Sequence, residues 1–465
     1  MAAHIGVYGL GTMGSALALN LAENGFSVAV TNRETDWIDD FIKEADALAG
    51  QLNGYEGLED FVQALEAPRS ILFMIPSGAP LDDMIAKISP LLAEGDTLID
   101  GGNADFNDTR RRSEALAQMG LHFVGMGVSG GEEGARHGPS MMVGGTPHSW
   151  ARLQPMLNAI AAQFHGDPCV AHVGPDGAGH FVKTVHNGIE YADMQMIAEI
   201  YGVLRDVGNW PASQIGDLFA RWNDGALDSF LMEISAKALC VQDPETGKPM
   251  VEVILDQAGQ KGTGRWTVIE ALKMGQSANA IEAAVGARSW SSEKATRTKA
   301  ENLLASTAVS KDIPHETDLE NAMLAGRILA HAQGFRVLDA ASAEFDWSLD
   351  LARIAEIWRA GCIIRSALLD QFASAFRGEL PDDHLILAPD IRALLEASIP
   401  SLRRVVASAA LSGAAVPTLA AALNWYDSMS RARGTTNLVQ AQRDIFGRHG
   451  FVRTDRDGKT NADWG

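Results

Sequence analysis

Between Gly6 and His172 short apolar runs alternate with amphipathic stretches, and beyond Gly179 the short runs give way to long segments of helical spacing. Short runs alternating with helical stretches are what crossover-linked parallel strands require, so the first part predicts a doubly wound α/β sheet. Strands are expected near residues 4–8, 26–31, 70–74, 97–100, 122–128, 140–143 and 170–172. The predicted organisation is a dinucleotide-binding α/β domain over 1–178, a large all-α domain over 179–435 and a polar tail over 436–465. The tail carries little core of its own, so it frays unless docked, for instance on a second subunit. Within the helical part Trp210 and Trp347 stand 137 residues apart, as do Ser229 and Ser366. A duplicated helical unit would explain that offset.

Candidate chemistry begins at the first turn. Gly9, Gly11 and Gly14 form GxGxxG between an apolar run and a helical stretch. That context makes it a Rossmann-type dinucleotide motif: the glycines allow a tight turn and close approach to a pyrophosphate, and the helix N-terminus stabilises the charge. The second strand ends in Thr31-Asn32-Arg33-Glu34. Arg33 can grip a 2′-phosphate, which favours NADP; Glu34 would repel that phosphate or bind a bare ribose, which keeps NAD open. Two loops follow later strands, Asp100-Gly-Gly-Asn103 and the glycine-rich loop from Ser129-Gly130-Gly131 to Ser140. They read either as ligand loops or as turns using glycine for positive φ.

Lys183, Asn187 and Glu190 fall at i, i+4 and i+7 on one helical face. An amine, an amide and a carboxylate together suggest proton transfer; the alternative is a charge pair on a solvated face. The same 137-residue offset carries Lys183 to Glu320, Asn187 to Leu324 and Glu190 to Arg327, so the scaffold repeats and the trio does not. Further on, the loop from Asp256 to Trp266 joins Lys261 and Thr263 to flexible backbone, a combination suited to phosphate.

Composition narrows the classes. A chain of 465 residues with 46% hydrophobic content predicts two or three domains with real cores, and a net charge of −21 argues against nucleic acid and against general steering of anions. Any anionic substrate must therefore meet local cations. Cys169, Cys240 and Cys362 form neither a disulfide framework nor a metal pattern. No run is long enough to span a membrane, and the chain opens directly into a strand, so a cytoplasmic protein is expected.

Taken together, GLGTMG, IDGGN, VSGGEEGARHGPSMM, GHFVKTVHNGIEYADMQ, LDQAGQKGTGRW, WRAGCIIRS and QAQRDIFGRH closely resemble the decarboxylating 6-phosphogluconate dehydrogenase family from Gly6 to about Phe451. The resemblance implies oxidation of 6-phosphogluconate by NADP to ribulose 5-phosphate and carbon dioxide, in the pentose phosphate pathway, by a metal-free homodimer. It implies Lys183 as general base and Glu190 as general acid. Asn103, Ser129, Gly130, Gly131, His186 and Asn187 would hold the hydroxyls, carboxylate and nicotinamide side. The phosphate would fall to Tyr191, Lys261, Thr263, Arg288 and, from a neighbouring chain, Arg443, with His449 close by. The cofactor would lie along Gly9, Leu10, Gly11, Thr12, Met13, Gly14, Asn32, Arg33, Glu34, Met74, Ile75 and Asn103. A neutral lysine base requires a lowered pKa, expected from burial and from nearby cations. Four departures stand out: Glu34 in place of Ser or Thr, Ile75-Pro76 in place of Val-Lys, Arg265 in place of Lys, and His449-Gly-Phe in place of His-Thr-Tyr. The first two weaken support for NADP. A β-hydroxyacid dehydrogenase would share the Lys-Asn spacing but would not need the phosphate cluster, and a dinucleotide sensor would not need the proton-transfer face.

Overall fold

The computed structural model describes residues 2–260, 262–304 and 307–465. Its first part contains β1 (Ile5–Tyr8), α1 (Thr12–Glu23), β2 (Val28–Thr31), β3 (Leu52–Gly54), β4 (Ser70–Phe73), β5 (Thr97–Asp100), β6 (His122–Val128), α2 (Gly131–His137), β7 (Met141–Val143) and β8 (Val170–His172). They form one sheet in the order β8-β7-β6-β5-β4-β1-β2-β3. Every neighbouring pair is parallel except β6 with β7. β1, β2, β4 and β5 are buried along their whole length, which is why they read as continuous apolar runs: helices cover both faces. The strand order reverses between β1 and β4, so the loops after these two strands border the crevice where such sheets bind ligands.

The expected strands are all present, with ends moved by one or two residues. β3 lies outside the expectation because only Leu52 of its three residues is buried, too short a signal to read. A small hairpin, Gln163–Phe164 with Asp167–Pro168, was equally silent.

Helices dominate from Ala178 onward: α3 (Ala178–Gly202), α4 (Phe230–Cys240), α5 (Thr263–Lys273), α6 (Asn279–Ser291), α7 (Glu316–Glu344), α8 (Leu368–Arg377), α9 (Pro389–Ser412), α10 (Pro417–Met429) and α11 (Thr436–Gly447). α3 and α7 pack together at the centre and are buried on nearly every side, so the usual polar stripe of a surface helix is missing. One apolar cluster runs from Met142 and Ala171 of the sheet through Phe181, Val185 and Ile189 of α3 into the helices. Arg327 of α7 is buried and pairs with Asp193 of α3 at 3.0 Å, the kind of partnering a buried guanidinium needs.

The proposed repeat has a structural counterpart. Ser229 and Ser366, just ahead of α4 and α8, face each other in an isolated antiparallel bridge. On either side the Phe230 N–H donates to the Arg365 carbonyl at 3.1 Å and the Ala367 N–H to the Asp228 carbonyl at 3.1 Å. Adding the 137-residue offset to one bond's donor gives the other's donor, as a local two-fold axis between two related units demands.

Candidate active site

Glycines lay α3 onto the sheet. A Cβ at Gly179 would overlap the Gly125 carbonyl oxygen, and one at Gly127 of β6 would overlap Lys183 Cβ. Their absence lets Lys183 sit pressed against β6, 5% exposed. The solvated-face alternative is therefore excluded: Asn187 is buried as well, and Glu190 keeps one-fifth of its side chain exposed.

The Lys183 amine donates to Ser129 Oγ at 3.0 Å, at the end of β6. Ser129 Oγ lies 3.2 Å from His186 Nε2, and His186 Nδ1 lies 3.1 Å from Asn187 Oδ1 and 3.4 Å from Lys183 Nζ. An amide oxygen can only accept, so the closer contact puts the imidazole proton on Nδ1 and leaves Nε2 to accept from the Ser129 hydroxyl. Asn187 Nδ2 then donates to Thr263 Oγ1 at 3.1 Å. Thr263 is the first residue of α5, just after Gly262 in a left-handed turn. The chain of donors thus runs from Lys183 through Ser129, His186 and Asn187 to Thr263.

Burial sets the charges. Desolvation lowers the Lys183 pKa, while Glu190 and Cys362 pull it back upward. Among the described residues of one chain burial alone lowers it; part of the expected help from cations would come from Lys261, outside those residues, and from Arg443 of a second copy. Burial, reinforced by Lys183, pushes His186 well below the ordinary histidine range and so keeps it neutral. Glu190 moves the other way, raised by burial against the pull of Lys183 and Arg288, and its carboxylate lies 3.9 Å from His186 Nδ1. An amine and a carboxyl group, both inclined to be neutral, thus share one wall: a potential base beside a potential acid.

Tyr191 and Arg288 meet beside this wall. The Arg288 guanidinium stacks 3.4 Å above the Tyr191 ring, and one nitrogen donates to the Gly259 carbonyl at 3.3 Å. Lys261, expected in the same cluster, lies outside the described residues. Gly130 has φ +106 and, with Gly131, opens α2 beside Ser129. Asn103 is exposed, and its backbone carbonyl accepts from Ser77 Oγ at 2.9 Å. Arg443 and His449 are exposed, on α11 and just after it. Two neighbours were not singled out for the site: Trp358, edge-on to the His186 ring at 5.4 Å, and Cys362, whose buried thiol is pushed up to about 12. Both belong to the WRAGC motif, which was the one available signal.

The glycine loop fits a dinucleotide. Gly9 has φ +105 and its missing Cβ would come 2.6 Å from the Met74 carbonyl oxygen, while a Cβ at Gly14 would overlap the Gly9 oxygen. At Gly11 nothing lies within 4 Å of the missing Cβ, so bare backbone faces open space at the start of α1. Thr12 and Met13 begin that helix, and Met74 and Ile75 border the loop from the end of β4. Asn32 is used inward: its Oδ1 accepts the Leu10 N–H at 3.0 Å and its Nδ2 donates to the Glu34 carbonyl at 3.1 Å. It shapes the loop between the first two strands, at the place where the cofactor contact is expected. Arg33 projects into solvent and is paired with Glu34, Nε to Oε1 at 2.7 Å.

Two family models match the chain: the NAD binding domain of 6-phosphogluconate dehydrogenase over residues 4–174 and the 6-phosphogluconate dehydrogenase C-terminal domain over residues 179–464. An NADP(+)-dependent, decarboxylating 6-phosphogluconate dehydrogenase of Bacillus subtilis (strain 168) is 45% identical, covering 99% of this chain and 98% of the relative. An NAD(+)-dependent, decarboxylating one from the same organism is 44% identical and covers 99% of both. Among solved structures, 6-phosphogluconate dehydrogenase of Plasmodium falciparum, described in apo form and in complex with NADP+ and with 6-phosphogluconate, superposes with a TM-score of 0.95. It is 37% identical and covers 99% of this chain and 100% of that one.

Proposed function

The chain belongs to the 6-phosphogluconate dehydrogenase family, and from that premise we propose that it converts 6-phosphogluconate to ribulose 5-phosphate and carbon dioxide within the pentose phosphate pathway, Lys183 serving as base and Glu190 as acid. NADP is the coenzyme, with NAD as an alternative, and the nicotinamide accepts hydride from C3 of the sugar acid when bound. The observation that carries the assignment of roles is the buried Lys183 amine, lowered in pKa and hydrogen-bonded to Ser129, on the same wall as a carboxyl raised in pKa.

A neutral Lys183 takes the C3 hydroxyl proton as C3 is oxidised. The resulting carbonyl lies β to the carboxylate, so carbon dioxide can leave with the electron pair flowing toward the C3 oxygen. Lys183, now an ammonium, donates a hydrogen bond to that oxygen and returns its proton there. The enediol becomes the ketone when C1 of the product gains a proton from Glu190, whose protonated form burial favours, while the hydroxyl at the former C3 gives its proton back to Lys183. Ser129 and His186 orient the Lys183 amine, and with Asn103, Asn187, Gly130 and Gly131 they line the hydroxyl and carboxylate side.

The substrate phosphate falls to Tyr191, Thr263, Arg288 and Lys261, completed by Arg443 and His449 from the tail of a second copy in a homodimer. Exposure of Leu438, Val439, Ile445 and Phe446 on α11 supports this docking, since a helix with so much apolar surface needs a partner. No described helix is long and apolar enough to cross a membrane, and a cytoplasmic setting fits the pathway.

The test is direct: follow reduced coenzyme at 340 nm and trap carbon dioxide with 6-phosphogluconate, using Lys183→Ala and Glu190→Gln. Both variants should lose at least about 100-fold in kcat. Turnover of 3-hydroxyisobutyrate in place of 6-phosphogluconate would contradict the reading.

A further inference from the structure

The end of the chain is organised around one carboxylate. α11 buries only Asp444, and the residue is 2% exposed. Its Oδ1 accepts the Gly450 N–H at 2.9 Å and the Asn461 side-chain amide; its Oδ2 accepts the Ala462 N–H at 3.0 Å and the Trp464 indole N–H at 2.8 Å. The donors come from residues 6 to 20 positions further along the chain. A buried carboxylate is costly unless its lone pairs are met, and here four N–H groups meet them. They also hold the carboxyl well below the usual carboxylate range.

The bonds fold the last residues back on the helix. Arg448 takes a left-handed conformation at φ 47, its N–H donates to the Asp444 carbonyl at 2.8 Å, and its own carbonyl accepts from Asn461 at 3.0 Å. A short hairpin, Phe451–Val452 with Lys459–Thr460, closes the return. Around this hub Phe446 and Val452 remain more than 70% exposed, so apolar packing within the chain does little to hold the segment together. Arg443 precedes Asp444 directly, and His449 precedes Gly450, one of its donors.

We propose that Asp444 is a positioning residue for substrate binding: it clamps residues 450–465 to the end of α11, so that Arg443 and His449 reach the substrate phosphate of a second copy as one preformed unit. This rests on the reading that the tail completes the partner's site.

Asp444→Asn puts an amide NH2 against two of the four N–H donors, which then lose their acceptor. The expected result is a rise of about tenfold in KM for 6-phosphogluconate, with kcat, KM for the coenzyme and the sedimentation behaviour within twofold of the parent. Amide hydrogen exchange should accelerate at Gly450 and Ala462. Arg443→Ala, measured alongside, should raise the same KM. If Arg443→Ala raises it and Asp444→Asn does not, the clamp is overturned; if Arg443→Ala leaves it unchanged, the underlying reading of the tail fails first. Should Asp444→Asn not fold, Trp464→Phe removes a single donor: a smaller rise in the same KM supports the clamp, and none overturns it.

Discussion

Glu34 does two things to Arg33 at once: it holds the guanidinium in an ion pair, and it places a negative charge where a 2′-phosphate would approach. Replacing it should therefore free the cation and remove the repulsion. Glu34→Thr is expected to raise the NADP-to-NAD ratio of kcat/KM by about tenfold, mostly through KM for NADP, and equilibrium binding by coenzyme fluorescence should follow it. An unchanged ratio would mean that Arg33 does not set coenzyme choice. At this scale much of the site was legible. Lys183, Asn187 and Glu190 announced themselves because helical spacing puts them on one face, and the spacing is local. Their burial was not legible, because it depends on Gly127 of β6 lying beneath Lys183. Nor was the relay through Ser129: it joins residues 54 and 57 positions apart, brought together only by α3 packing on the sheet.

At the scale of elements, apolar runs located every central strand, because strands buried on both faces must be apolar throughout; β3, at the edge, has no such obligation. What a pattern of this kind cannot show is how one helix is tied to another. Glu199 of α3 accepts the backbone N–H groups of Thr418 at 2.8 Å and Leu419 at 3.0 Å, the first free donors of α10 after Pro417, which has none. Burial outweighs these bonds and raises Glu199 to about 7. A carboxyl raised above its unfolded value of 4.5 favours the fold while protonated; that contribution is complete below pH 4.5 and is lost as pH rises through 7. Glu199→Gln, which cannot ionise, should therefore gain stability relative to the parent by about 3 kcal/mol across that window. Urea unfolding of both proteins at several pH values checks it, and a constant difference would show that the bonds to α10 hold Glu199 near its ordinary pKa.

For the whole molecule, the sequence placed a sheet before the helices and singled out the tail, and the offset of 137 residues between Ser229 and Ser366 foreshadowed their direct pairing. Assembly is the part a single chain leaves to chemistry. If Lys183 of one copy works with Arg443 of another, a dimer of one Lys183→Ala and one Arg443→Ala subunit retains one intact site. Mixing and reassorting the two weak variants should then restore about a quarter of parental activity at low substrate concentration. No gain on mixing would place both residues in the same chain's site. At every scale the account depends on one amine being able to shed its proton inside the protein. The most direct measurement is an NMR titration of Lys183 in protein carrying lysine isotopically labelled at Cε, with Lys183→Arg identifying its resonance. The account predicts a midpoint clearly below the ordinary lysine value of about 10.4; a midpoint at or above that value would contradict it.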